Sequence, residues 1–314
     1  MSNIIKVALV GATGKTGSSV VNGLLAETET KYDITALARP TSVNGEANKA
    51  LEARGVHVVA ADLTGPKKDL VKLLKGIDVV ISCIVFTNLK DQIPLAEAAK
   101  EADVKRFVPC DFATPAPRGV MALHDQKDDI LAAIQRLYLP YTIIDIGWWS
   151  GQSVPALPSG RTKDAVGVFN VNPGDGNVPI SYTDLPDIGK YVAKIVADPR
   201  TLNKKVFAYT EVLSTNQIDA LMEELSGETP IRNHLNENEV LEAEEAAIAA
   251  LAQNPTDPFA ILTLGMHQYI YSWGFRGDNT PESAAYLGYL DFKELYPGVA
   301  GKTMRTIFQE ILGA

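Results

Sequence analysis

The sequence predicts an α/β protein built on a parallel sheet, and two observations support that prediction. An apolar run at residues 7–10 ends in a turn with three glycines, Gly11, Gly14 and Gly17, and helical spacing follows over residues 18–25. Beyond this turn, short apolar runs alternate with helical segments at a spacing typical of right-handed βαβ units. The predicted fold is therefore a Rossmann-type, doubly wound parallel sheet with a smaller, mainly helical substrate domain.

The elements are predicted in order from hydrophobic periodicity. Strands are expected at residues 4–10, 33–38, 56–60, 78–83, 106–110 and 141–146, and helices at 18–25, 47–54, 67–74, 89–102 and 121–137. Later, an extended segment is expected at 166–171, a strand at 205–209, and helices at 187–197, 215–225, 237–252, 258–275, 286–298 and 304–312. Residues 1–150 are predicted to form a nucleotide-binding domain, to which elements near 187–209 return, and residues 151–314 a substrate-binding domain.

Composition excludes several classes of function. With 38 acidic and 29 basic residues the net charge is -9, and no basic patch occurs, so direct binding to nucleic acid is disfavoured. Two cysteines suit a reducing compartment better than a disulfide framework, and no metal-ligand spacing involves them. A signal-peptide pattern is missing, and the longest apolar run, residues 79–86, is far short of a membrane span. We expect a cytoplasmic monomer or homodimer without a metal or a membrane contact.

The glycine turn predicts a nucleotide site. One glycine permits a turn that a side chain would block, one lets backbone amides approach a pyrophosphate, and one allows close helix packing. The spacing, Gly-x-x-Gly-x-x-Gly, differs by one residue from the usual dehydrogenase pattern, so the flanking strand and helix carry the argument. The predicted cofactor contacts in the turn are Gly11, Thr13, Gly14, Lys15, Thr16 and Gly17.

Arg39 ends the second predicted strand, roughly 20 residues past the turn, where NAD-binding units carry a carboxylate for the ribose hydroxyls. An arginine at this position can pair with a 2′-phosphate instead. Arg39 together with Lys15 therefore predicts NADPH/NADP⁺ as the cofactor. The alternative interpretation is a solvated arginine at a strand end.

Further cofactor contacts are expected where other strands end, because ligands of open α/β sheets bind beyond the carboxyl ends of the strands. The candidates are Asp62, Leu63, Ser82, Cys83, Asp111 and Phe112. Asp62 either meets an adenine amino group or caps the turn before Gly65. Phe112 either packs on a nicotinamide ring or belongs to the core.

The helix predicted at residues 121–137 carries His124 and Lys127, which are three residues apart and so lie on one helix face. After the next strand, Trp148 and Trp149 suggest a flat, apolar wall for a substrate, although at least one ring is expected to pack inward. On the later apolar helix, His267 and Tyr271 are further candidates for the pocket, with core packing as the alternative.

The catalytic Tyr-x-x-x-Lys of short-chain reductases has one match, Tyr289-Leu-Asp-Phe-Lys293, close to the C-terminus. About half a match is expected by chance, and this one lies away from the predicted strand ends, so it is discarded as catalytic.

Further motifs complete a pattern that resembles a known family. They are the glycine turn with Arg39, Arg106-Phe-Val-Pro-Cys-Asp-Phe112, Gly174-Asp-Gly-Asn177, Asp187-Ile-Gly189 and Asp198-Pro-Arg-Thr-Leu-Asn-Lys204. Over residues 4–215 the chain resembles the isoflavone reductase-like branch of the NmrA-like, atypical short-chain dehydrogenase/reductases. The resemblance implies an NADPH-dependent reductase of a small aromatic or conjugated substrate, such as an enone, a quinone methide or an imine.

The resemblance also implies that Lys127 is the catalytic group, which positions the nicotinamide ribose or acts as a general acid or base. His124 is then a second proton relay, a ring-binding group or a structural residue. Plant members carry Ser-Glu-Phe-Gly where this chain has Cys110-Asp-Phe-Ala113, so their substrates do not carry over. The alternatives are a dinucleotide-binding redox sensor without turnover and a protein that uses the fold as a scaffold.

Overall fold

The computed structural model describes residues 4–167 and 170–313, and its first part follows the predicted alternation of strands and helices. In chain order the elements are β1 (Ile4–Val10), α1 (Lys15–Ala26), β2 (Lys31–Ala38), α2 (Glu46–Glu52), β3 (His57–Ala60), α3 (Lys67–Leu74), β4 (Val79–Ser82), α4 (Gln92–Glu101), β5 (Arg106–Val108), α5 (Ala122–Arg136) and β6 (Thr142–Asp145).

The central sheet has the strand order β3-β2-β1-β4-β5, and all four pairings are parallel. A parallel bridge from Phe107 to Tyr141 places β6 beside β5. The strand order therefore reverses between β1 and β4, which is where ligands of such sheets bind. The predicted doubly wound parallel sheet is confirmed.

Element bounds differ from the predictions where the sequence lacks apolar spacing. Helix α1 begins at Lys15 rather than at residue 18, because its first three residues, Lys-Thr-Gly, carry no apolar side chain that would extend the helical pattern. The helix predicted at 89–102 is a 3₁₀ segment, Phe86–Asp91, followed by α4. Other early bounds shift by one to two residues, as is usual at element ends.

The later elements are α helices and short strands. They are β7 (Trp148–Trp149), β8 (Val171–Pro173), β9 (Ile180–Thr183), α6 (Leu185–Ala197), β10 (Lys204–Phe207), β11 (Glu211–Leu213), α7 (Thr215–Ser226), β12 (Asn233–Leu235), α8 (Glu237–Gln253), α9 (Pro258–Tyr271), α10 (Pro281–Tyr286), β13 (Tyr289–Asp291), α11 (Phe292–Leu295) and α12 (Met304–Leu312). Strands β11, β9 and β7 form one small sheet, and β12 pairs with β8 in another.

The chain divides into two units. The first unit comprises Met1–Phe112, Gln126–Asp145 and Leu185–Val206, and the second comprises Ala113–Asp125, Ile146–Asp184 and Phe207–Ala314. The second unit is about as long as the first and combines helices with small sheets. In the parts of the chain that the structure describes, no helix is both long and apolar enough to cross a membrane.

Two predictions for the second half were wrong. The helix predicted at 258–275 was expected to be buried, yet Phe259 is 76% exposed, and the helix ends in a π-helical turn at Ser272–Arg276. The helix predicted at 286–298 is replaced by β13 and α11, because Gly288 has a positive φ of 84° that ends α10 and starts a strand.

Of the extended segment predicted at 166–171, residues 168–169 lie outside the described residues, and β8 begins at Val171.

In the first unit, helices α1 and α6 pack at two glycines. A Cβ atom at Gly189 would lie 1.8 Å from the carbonyl oxygen of Ser19, and one at Gly23 would lie 2.0 Å from the carbonyl carbon of Gly189. The Ser19 hydroxyl donates to the Pro186 carbonyl and accepts the Gly189 amide at 3.0 Å. Close backbone approach thus explains the Asp187-Ile-Gly189 motif, and it fixes the helix that begins in the glycine turn.

The first prediction concerns this helix contact. In Gly189→Ala the new methyl group cannot fit against the Ser19 carbonyl, so the two helices must move apart, and the free energy of unfolding should fall by about 1–3 kcal/mol. Gly265→Ala is the matched control, because a Cβ on Gly265 in α9 would meet nothing within 4 Å. It should be neutral or stabilising by up to about 1 kcal/mol. Chemical denaturation measures both, and equal stability of the two variants would contradict the packing.

Candidate functional site

The glycine turn between β1 and α1 is closed by backbone contacts that exclude side chains. Gly11 has a positive φ of 77°, and a Cβ there would lie 2.3 Å from the Cys83 carbonyl oxygen. A Cβ on Gly17 would lie 2.0 Å from the Gly11 carbonyl oxygen. Gly14 differs, because its nearest neighbour would be 3.3 Å away and the rest of the space around it is open. Two glycines therefore make the turn, and the third leaves room at the helix start.

The N-terminus of α1 offers free backbone amides. Gly14 is its N-cap residue, and no side chain within residues 4–167 or 170–313 caps it. The first amides of a helix point outward along a favourable dipole, which suits an anion such as a pyrophosphate. Lys15 and Thr13 beside them are exposed, and Thr16 is half-buried.

Arg39 follows β2 at the same edge of the sheet, since Leu37 pairs with Val10 in β1. Its side chain is exposed and forms no hydrogen bond or ion pair with any residue that the structure describes. Its carbonyl oxygen instead accepts the amides of Ser42 and Val43, which fixes the backbone of the loop. An exposed guanidinium at this end of the strands, without a carboxylate partner, can donate hydrogen bonds to a bound phosphate.

Asp62 caps a turn, as one of its two interpretations predicted. Its Oδ1 atom accepts the hydroxyl of Thr64 at 2.8 Å and the amide of Thr64 at 3.0 Å. These hydrogen bonds lower the pKa of the Asp62 carboxyl. A contact of Asp62 or Leu63 with adenine stays a prediction.

Two free thiols lie where β4 and β5 end, and Cys83 also lies against the glycine turn. The Cys83 amide donates to the Val10 carbonyl, and the Cys110 thiol donates to the Ile84 carbonyl at 3.1 Å. Burial raises the pKa of Cys83 well above its usual range and that of Cys110 to about 11. Both groups are therefore neutral thiols near pH 7, and neither is an activated nucleophile. Ser82, at the end of β4, is fully buried.

Lys127 is brought together with Asp111. Its Nζ atom donates to the Asp111 carbonyl oxygen at 2.6 Å, and the residue is only 8% exposed. Lys127 is therefore not an exposed surface lysine of the helix. This hydrogen bond places Lys127 of α5 beside Asp111, which follows the carboxyl end of β5.

Phe112 is buried and has a positive φ of 39°, which is unusual for a residue with a bulky side chain. Its amide donates to the Ile144 carbonyl at 2.9 Å. The core interpretation of Phe112 is confirmed by this burial, while a contact with a nicotinamide ring stays a prediction.

Sequence reasoning missed Gln92. It is fully buried at the start of α4, its Oε1 atom accepts the Cys110 amide at 2.7 Å, and its Nε2 atom donates to the Leu89 carbonyl at 3.1 Å. The pattern offered one indication, since Gln92 shares the buried helix face of Leu95, Ala96 and Ala99. A polar side chain on such a face must find partners.

Arg106 explains two of the sequence motifs. The buried guanidinium donates to the hydroxyls of Thr142 and Thr201 and to the carbonyls of Ile195 and Asp198. The motif that begins at Arg106 and the Asp198-Pro-Arg-Thr motif are thus joined by hydrogen bonds in the first unit.

In the second unit, Trp148 packs into the core. Its ring centroid lies 5.3 Å from that of Tyr269 and 5.7 Å from that of Trp273. This confirms that one of the two adjacent rings turns inward. Trp149 is half-buried, so it is the better candidate of the pair for a substrate contact.

The remaining candidates in the second unit are on helices. His124 is buried in the first turn of α5. His267 in α9 is half-buried, with Nδ1 2.8 Å from the Thr263 carbonyl oxygen, and Tyr271 stacks on Phe275 at 6.3 Å between centroids. Their roles toward a substrate stay predictions.

Comparison with known proteins gives the family. The NmrA-like family model matches residues 4–254, so the chain belongs to the NmrA-like family. The resemblance found in the sequence motifs is confirmed.

Individual relatives are oxidoreductases by name. Asnovolin J 5′,6′-dehydrogenase of Aspergillus novofumigatus is 48% identical over 316 residues, which cover 99% of this chain and 97% of that protein. An isoflavone reductase-like protein of Olea europaea is 32% identical over 257 residues, 77% of this chain and 81% of its own. The structure of a binary complex of leucoanthocyanidin reductase with NADPH, from Vitis vinifera, has a TM-score of 0.80 at 25% identity and covers 98% of this chain and 100% of that one.

The two free thiols at the ends of β4 and β5 give the second prediction. A raised pKa keeps a thiol protonated, so the reactive thiolate fraction should keep growing as pH rises through 8 and 9. At pH 8, N-ethylmaleimide should label Cys110, whose pKa is about 11, roughly 100-fold more slowly than a free thiol of ordinary pKa. Peptide mass spectrometry measures each cysteine, with guanidinium-unfolded protein as the control. A labelling rate that levels off below pH 9 would contradict the raised pKa.

Proposed function

We propose that the protein is an NADPH-dependent reductase that transfers a hydride to a small aromatic or conjugated substrate with the assistance of Lys127. The observation that carries the proposal is the buried Lys127 ammonium, held on the Asp111 carbonyl at the sheet edge that also carries the glycine turn. Burial of a lysine costs free energy. A buried lysine with a fixed hydrogen bond at this edge of the sheet therefore favours a functional role.

The cofactor proposed for the glycine turn is NADPH or NADP⁺. The open space at Gly14 and the free amides of α1 suit the pyrophosphate. Arg39, exposed and without a carboxylate partner among the described residues, suits the 2′-phosphate, and Lys15 adds a second positive charge. The residues present therefore fit the phosphorylated dinucleotide better than NADH.

Lys127 is proposed to hold and deliver a proton. An ammonium group has three donors, and the Asp111 carbonyl takes one of them. Held at that carbonyl, the ammonium can orient a ribose hydroxyl or approach the substrate oxygen that becomes negative when a conjugated carbonyl gains a hydride. NADPH supplies that hydride when it is bound. His124, one helical turn earlier on α5, is proposed as a second relay.

Substrate contacts are proposed for the second unit. Trp149, His267 and Tyr271 are half-buried there, which leaves part of each ring available to an aromatic ligand. Trp148 is proposed to support this surface from the core, because its ring is packed against Tyr269 and Trp273.

A second candidate function is the same hydride transfer in the oxidative direction. The relative that is 48% identical over almost the whole chain is named a dehydrogenase, whereas other relatives are named reductases. In that direction bound NADP⁺ would supply the hydride acceptor, and Lys127 in its neutral form would take the proton. The site contains the same groups in either direction.

The third prediction tests Lys127. Lys127→Ala should lower kcat by about 100-fold or more, because a positioned proton donor is lost, while the Kd for NADPH changes little. The assay follows absorbance at 340 nm in both directions with a panel of aromatic enones and their saturated analogues. Lys72→Ala is the control, because Lys72 is an exposed lysine on α3 of the same unit.

Full activity of Lys127→Ala would refute the role of this lysine. Binding of NADPH by the wild type without turnover in either direction, on any compound of the panel, would favour a dinucleotide sensor instead.

A further inference from the structure

The geometry points to Gln92 as a positioning residue that fixes the Asp111 carbonyl under the Lys127 ammonium, acting through the backbone of Cys110. The kinetic consequence of this inference rests on the proposed function, whereas the placement of Lys127 can be measured without it.

Gln92 is itself fixed at both ends of its amide. Its Nε2 atom donates to the Leu89 carbonyl at 3.1 Å, which determines the orientation of the group, and its Oε1 atom then faces the Cys110 amide at 2.7 Å. The side chain is fully buried, so water cannot replace either partner.

The segment from Cys110 to Phe112 is held by hydrogen bonds at each residue, and the Asp111 amide donates to the Pro109 carbonyl at 3.0 Å. The Cys110 amide bonds to Gln92, the Cys110 thiol bonds to the Ile84 carbonyl, and the Phe112 amide bonds to the Ile144 carbonyl. Phe112 has a positive φ of 39°, a conformation that persists only where the surroundings determine it. The Asp111 carbonyl lies between these points, and it accepts the Lys127 ammonium at 2.6 Å.

Loss of the Gln92 acceptor leaves a buried amide without a partner at one end of this segment. The segment can then shift at its Cys110 end, and the Asp111 carbonyl tilts about the remaining hydrogen bond from the Phe112 amide, in the same peptide plane, to the Ile144 carbonyl. Lys127 keeps its place on α5 but loses its fixed acceptor. The glycine turn is unaffected, because Gln92 has no hydrogen bond to it.

The test replaces Gln92 by methionine, which has a similar shape and no acceptor. Its first readout is the rate at which acetic anhydride modifies Lys127 in the full-length protein without cofactor, followed by peptide mass spectrometry. We expect at least a fivefold increase, since the hydrogen bond from the ammonium to the Asp111 carbonyl is weakened. In the NADPH oxidation assay, kcat should fall about tenfold while the KM for NADPH stays within twofold.

Tyr32→Phe is the matched control. It removes the hydrogen bond from the Tyr32 hydroxyl to the Ala193 carbonyl at 2.5 Å, near the amino end of β2 in the same sheet. It should destabilise the fold without changing the modification rate of Lys127. If Gln92→Met does not fold, Gln92→Asn carries the test, because it keeps a buried amide but withdraws the oxygen by one methylene group.

An unchanged modification rate in the folded Gln92 variant would overturn the inference, and so would an equal increase in Tyr32→Phe. A wild type without any turnover, combined with a faster modification of Lys127 in the Gln92 variant, would refute the proposed reductase function and leave the positioning role standing.

Discussion

The candidate site of the first unit depends on the hydrogen bonds of the buried Arg106 guanidinium. The guanidinium joins β5 to Thr142 in β6, to the end of α6 and to the turn that contains Thr201. A buried charge of this kind is tolerated only when its donors are satisfied, and here four separate oxygens accept them. The strand that leads into Asp111 and Phe112 is therefore anchored at its first residue, three residues before the strand gives way to irregular backbone at Pro109.

The glycine turn imposes a second constraint, which is purely steric. The Gly11 and Gly17 backbones approach each other and Cys83 so closely that a single Cβ would separate them. This contact fixes the start of α1, and the glycine contact between α1 and α6 fixes its middle. A helix held at two points presents its N-terminal amides in one direction, which is what an anion site requires.

The sequence predicts the parallel sheet because apolar runs and helical segments alternate at a regular spacing, and burial of those runs leaves few alternatives. The i,i+3 spacing places Lys127 on one helix face with His124, and the resemblance to the family assigns it a role. The sequence does not predict the partner of Lys127, because that partner is a backbone carbonyl and backbone atoms are the same in every residue. For the same reason the sequence shows Gln92 only as a polar residue on an apolar helix face, and it does not show that its partner is the Cys110 backbone amide.

Hydrophobic periodicity also fails to predict how deeply a helix is buried. The apolar density of α9 resembles that of a core helix, yet Phe259 lies largely in solvent, because the pattern shows which residues share a face and not what covers it. The helix predicted at residues 286–298 fails at Gly288 for a related reason. A glycine in a helical pattern is compatible with either a helix interior or a turn. The local sequence leaves both outcomes open, and tertiary packing selects one.

The central claim is that the glycine turn and Arg39 hold a 2′-phosphorylated dinucleotide. The most direct measurement is a fluorescence titration of the wild type and Arg39→Asp with NADPH and NADH, with Arg136→Asp as a charge-matched control at the end of α5. We expect the wild type to bind NADPH at least about tenfold more tightly than NADH, and Arg39→Asp alone to lose that preference. Equal affinity of the wild type for the two cofactors would contradict the account.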